Sequence, residues 1–111
     1  MVEVKFFRKG KFLVGIESKG HSGFSQKGSD VICAGVSALM HALILGIVDI
    51  AGVKCKALHV NDKAPLISVK WTEDDAEKLT LLTQTIAASL KQIALENPKY
   101  VKIISSEEKI S

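Results

Sequence analysis

The sequence predicts an α+β fold, a single ββαββαβ domain over residues 1–111 with a mostly antiparallel sheet packed by two helices. Three observations carry this. Runs of β-type residues come in pairs joined by turn signals, and two longer stretches open on helix start signals. A chain of 111 residues, 47% apolar, can bury one core but cannot hold a cofactor domain beside a substrate domain.

The first pair of strands is 2–7 and 12–17, joined by the hairpin signal Lys9-Gly10. A helix over residues 30–48 follows, with Ser29 or Asp30 expected to cap its first turn. The second pair, 53–60 and 65–71, places Lys54 and Lys56 on a strand and turns at Asn61-Asp62-Lys63. A second helix starts at Thr72, with Glu73, Asp74 and Asp75 at the positive end of its dipole. Its Leu79, Leu82, Ile86, Leu90 and Ile93 recur at the helical period, and Asn97-Pro98 stops it. A last strand covers 100–104, and disorder is expected over 105–111.

The eighteen residues 31–48 carry no formal charge, which reaches the length of a membrane span. Their polar start and the half-buried strands around them instead predict a helix buried on the sheet and against a second subunit. A net charge of +3, one Arg and six aromatics fall short of the basic, aromatic-laced surface that specific nucleic-acid binding needs. The opening residues, Met1 to Arg8, contain no apolar signal core, so a cytoplasmic location is expected, with Cys33 and Cys55 as thiols.

Chemistry concentrates between Gly20 and Ser37. Cys33 falls at the third or fourth position of the first helix, where unpaired amides and the helix dipole favour negative charge, the form in which a thiol attacks. His21 lies on the preceding loop, where Gly20, Gly23 and Gly28 permit the chain to fold back toward Cys33. The same amides could hold an oxyanion. The competing reading makes Cys33 a small core residue and His21 an exposed loop residue. His41, eight residues along the helix, is about 12 Å away, too far to take the thiol proton, and is read with His59 as structural.

Other sites fit less well. Gly23 to Asp30 approaches a phosphate loop, but Ser29 stands where the Lys is needed. Leu39 replaces the Arg of a tyrosine-phosphatase loop. Cys33, Cys55, His21 and His59 could form a zinc set, yet without paired short spacing. No metal and no cofactor is expected.

Gly20-His21-Ser22, then Gly28, Asp30-Val31-Ile32-Cys33-Ala34 and Ser37, resembles the signature of the ribosomal-processing cysteine proteases, the Prp family. Ser22 stands where Ala is common, and Gly35 where Ala is more usual, which could let something pack closer to the helix. The resemblance implies a ββαββαβ domain with His21 and Cys33 as a catalytic dyad. It implies limited proteolysis of the N-terminal extension of protein twenty-seven of the large ribosomal subunit, and a homodimer. Gly20, Asp30, Ser37 and Phe24 are supporting candidates. Asp30 either caps the helix or orients His21; Ser37 meets substrate or bonds to the preceding turn; Phe24 either closes over a bound peptide or packs on the domain. A non-catalytic ribosome-associated domain, using basic residues 5–11 and 54–56, is the alternative.

Overall fold

The computed structural model describes residues 1–20, 29–61 and 65–107, with the side chains of residues 29 and 30 excepted. Five strands, β1 (Val2–Lys9), β2 (Phe12–Lys19), β3 (Ala57–Asn61), β4 (Leu66–Lys70) and β5 (Val101–Glu107), form one sheet in the order β3-β4-β2-β1-β5. Three pairings are antiparallel, and β5 joins β1 in parallel. Gly10, with φ +59°, makes the tight turn between β1 and β2 that a side chain would strain. A bulge leaves Val14 outside the β1–β2 pairing, and the Val14 carbonyl accepts instead from the Trp71 amide at 2.9 Å.

The pairing register puts Phe6, Ile16, Val69 and Leu58 in one row across the sheet. The first three are fully buried, whereas Leu58, on edge strand β3, is 43% exposed. Helix α1 (Ser29–Leu45) lies on this side and buries Val36, Met40, Leu43 and, just beyond its end, Ile47, a stripe at helical spacing. Each of the larger ones contributes on the order of 1.5–3 kcal/mol by leaving water. The helix α3 (Thr80–Glu96) packs beside it through Ile86, Ala87 and Leu90. Trp71 is buried and its indole Nε1 donates to the Leu13 carbonyl at 2.8 Å.

Several boundaries differ from the sequence reading. The α-helix ends at Leu45, and Gly46–Ile50 continue as a π turn; an added Cβ at Gly46 would lie 2.6 Å from Leu82 Cδ2, so the chain approaches α3 closely there. The helix expected from Thr72 is broken: α2 (Glu73–Ala76) ends, and α3 begins at Thr80. Thr72 does occupy the cap position, but its hydroxyl donates to the Asp75 carboxylate at 3.0 Å and not to a backbone group. Strand β3 starts at Ala57, so Lys54 and Lys56 precede it. β5 continues through Ser105 and Ser106 to Glu107, whose carboxylate accepts from the Gly10 amide at 2.8 Å; the disorder expected from 105 onward does not hold for these residues. Ser29 and Asp30 are themselves helical, so neither fills the non-helical cap position.

The segment Val31–Ile50 is long and apolar enough to cross a membrane, with mean hydropathy 2.4, yet its buried stripe packs on the sheet as a core helix. Burial is one-sided: Val31, Leu45, Val48 and Ile50 are exposed. On the opposite side of the sheet, Gly15 leaves room for the stem of Lys70, whose Nζ stands 4.0 Å from the centre of the Phe7 ring, with Lys5 at 5.7 Å. Two cations thus cover the ring where a helix layer is absent.

Candidate active site

Cys33 is the fifth residue of α1, one position deeper than the sequence map puts it, and is half-buried. Side chains on a helix lean toward its N-terminus, so the thiol projects back toward the first turn, where the unpaired amides lie. It opens onto a depression of about 330 Å³ between α1 and the ends of β2, β3 and β4. Cys33, Ser37 and His41 form one wall, a stripe whose members follow at every fourth residue; Asn61, Pro65 and Ile67 contribute to the other.

Gly20 closes β2 at the edge of this depression. Its φ is +89°, its amide donates to the Pro65 carbonyl at 2.9 Å, and a Cβ there would lie 2.9 Å from the Met1 carbonyl oxygen. Only glycine meets all three demands, so this position fixes where the chain leaves toward residue 21. His21, Phe24 and the side chain of Asp30 lie outside the described residues. Cys33, Ser37 and Gly20 are brought together as lining of one depression.

The other two histidines separate clearly. His59 pairs with Ser68, out of phase with Leu58 and Val69, and so points to the face of the sheet away from α1. It cannot meet Cys33. His41 is exposed, not buried, and lines the same depression as Cys33, which the sequence reading missed; the spacing of eight residues on one helix was the available signal. Among the described residues no three His, Cys, Asp or Glu side chains gather as metal ligands.

Cys55 is the contrasting thiol. It sits before β3, at the far end of the sheet, half-buried against the core, and burial pushes its thiol up from the ordinary value. A second depression, of about 320 Å³, lies at that end and is charged: Lys9, Lys56, Lys70, Glu73 and Asp74 line it, and Lys9 pairs with Glu73 at 2.6 Å. Its described lining holds no cysteine. Among the described residues nothing packs closer to the helix at Gly35, where an added Cβ would meet only Ile93 Cδ1, at 3.9 Å.

The chain is similar in fold to a protease from S. aureus described as an essential ribosomal processing protease, Prp, in complex with a substrate peptide. The TM-score is 0.80 at 18% identity, over 96% of this chain and 100% of that one. The same protease with a covalently linked product peptide gives 0.78 at 19% identity, over 96% and 100% of the two chains. The SMU.848 protein of Streptococcus mutans gives 0.83 at 24% identity, over 97% and 96%. No curated protein sequence matches. The family described as cysteine protease Prp matches residues 1–102, and with that span of the chain covered, the protein belongs to the Prp family of cysteine proteases.

Proposed function

We propose that the protein is a cytoplasmic endopeptidase that removes the N-terminal extension of protein twenty-seven of the large ribosomal subunit, with Cys33 as nucleophile and His21 as its base. The observation that carries this reading is the placement of the Cys33 thiol in a depression whose described lining contains no Lys, Arg, Asp or Glu, a surface suited to an extended apolar peptide. His59 faces away and His41 is too distant along α1, so neither competes with His21 for this role. The Cys33 thiolate attacks the scissile carbonyl, amides at the start of α1 stabilise the oxyanion, and His21 returns the proton to the leaving amine; water then releases the thioester. The S. aureus protease captured with a covalently linked product peptide supports a route through an enzyme–peptide bond. In this reading Asp30 orients His21.

Part of the basic cluster on which the non-catalytic alternative rests is engaged within the molecule, while Lys54 and Lys56 are exposed. Arg8 and Lys11 lie 6.0 and 5.4 Å from the rings of Phe6 and Phe12, and Lys9 pairs with Glu73.

A homodimer belongs to the same proposal. Leu58 and Val60 on edge strand β3, with Leu45 at the end of α1 and Val48 and Ile50 just beyond it, are 42–85% exposed, apolar surface that a second copy would cover. Sedimentation should give twice the chain mass, falling to one on Leu58→Glu. The catalytic claim is tested by incubation with a peptide carrying the extension: cleavage at one bond, absent in Cys33→Ala, is expected, and an uncut peptide contradicts it.

A further inference from the structure

The face of the sheet away from α1 carries no helix. The pairing register places Lys5, Lys19, Lys70 and Lys102 on it with Phe7 and Ile104, against two acids, Glu3 and Glu17. Lys5 and Lys70 converge on the Phe7 ring, their ammonium groups 5.7 and 4.0 Å from its centre, so the two cations stand no more than about 10 Å apart, inside one Debye length at about 0.1 M salt. They repel each other there. The chain nonetheless makes room for this pairing at Gly15, in the middle of β2, where an added Cβ would strike the Lys70 stem at 2.8 Å and Phe7 at 3.1 Å. A glycine inside a strand weakens it, and this one lets Lys70 lie over the ring.

We propose that this uncovered face binds a single strand of RNA by its phosphates, without preference for sequence. Negative charge brought between Lys5 and Lys70 offsets their repulsion, and a lysine meets a phosphate as a point charge on a flexible stem. Lys19 and Lys102 are exposed and flank Glu3, one strand to either side. From Lys70 on β4 to Lys102 on β5 the lysines thus spread over three strand spacings, about 14 Å, which suits a polymer of repeating charge better than one small anion. Phe7 and Ile104 put apolar area among the cations, and flat bases can rest on it where an acidic peptide brings charge alone. The chain has a single Arg, and the ring lies under its own lysines, so base edges go unread. RNA is the source of phosphate that the protease reading above supplies, since the substrate there is a ribosomal protein; that choice rests on that reading.

The test is the fluorescence anisotropy of labelled oligouridine and oligoadenosine, each of about twelve nucleotides. They are titrated with the unmodified protein, with the double variants Lys5→Gln/Lys70→Gln and Lys19→Gln/Lys102→Gln, and with Lys91→Gln, each checked by thermal unfolding and by cleavage of the extension peptide. The unmodified protein should bind both strands within about three-fold of each other, with Kd about 10⁻⁴–10⁻⁶ M and a logarithmic salt slope of about −2 to −3, the counterion release of three or four phosphates on a single strand. Either double variant should weaken binding about ten-fold and reduce the slope by about 1 to 1.5. Lys91, exposed on α3 across the sheet, should leave binding unchanged. Cleavage should stay within about two-fold throughout, because Cys33 lies on the helix-covered side. Absence of binding by either strand, equal binding by the unmodified protein and both double variants, or an oligoglutamate of the same length bound as tightly overturns the inference. A ten-fold preference for one strand contradicts contact through phosphates alone. An uncut peptide with RNA binding intact would contradict the protease reading and leave the phosphate site standing.

Discussion

Strand β4 joins two ends of the molecule that handle a thiol in opposite ways. At the Leu66 end, Cys33 opens from a helix start onto a depression with no charged side chain among its described lining. At the Lys70 end, Cys55 lies against the core beside a depression lined with lysines and acids, and burial pushes its thiol up. Composition does not distinguish the two cysteines. What does is the element beneath each: a helix N-terminus supplies unpaired amides and a side chain that leans back toward them, while an irregular segment under the sheet edge supplies only desolvation.

The largest effect that separates the two ends is on cleavage. Cys33→Ser should lower kcat/KM at least about 10³-fold with the melting temperature nearly unchanged, because the hydroxyl fills the space without the thiolate. Cys55→Ser should keep cleavage within about two-fold while lowering stability by roughly 1 kcal/mol, read by urea denaturation. Gly20→Ala comes next, with an expected loss of about 1–3 kcal/mol and reduced cleavage, since the new Cβ meets a backbone carbonyl at a positive φ.

Two glycines of the first helix sharpen the comparison at smaller magnitudes. Gly46→Ala should destabilise by about 1–2 kcal/mol, because its Cβ would press on Leu82 where α1 and α3 touch. Gly35→Ala, with only an ordinary contact to Ile93, should stabilise by about 0.5–1 kcal/mol through helix propensity, and thermal unfolding would show the two shifts with opposite signs.

Strand pairs, both long helices and the position of Cys33 within one residue were legible in the sequence, because alternation, periodicity and turn residues are local signals. The misplaced boundaries depend on packing that no local pattern encodes. The close approach at Gly46, where the π turn begins, involves Leu82, thirty-six residues on, and the extension of β5 through Ser105 and Ser106 answers to its parallel partner β1 and the Gly10 amide. The break between α2 and α3 falls at residues 77–79, where the helical period of the sequence runs on unbroken. At the candidate site, His41 was legible as a helix residue but not as a wall of the depression, because the opposite wall is built from β3, β4 and the segment before it.

The most direct test of Cys33 as nucleophile is alkylation by iodoacetamide at neutral pH, quenched at intervals, with each cysteine quantified by peptide mapping and cleavage measured on the same samples. Cys33 should be modified well ahead of Cys55, and activity should fall in proportion to Cys33 modified. Cys55, with its thiol pushed up by burial, should gain rate only as the pH rises into and above the ordinary thiol range. Modification of Cys55 first, or cleavage that survives complete modification of Cys33, would contradict the account.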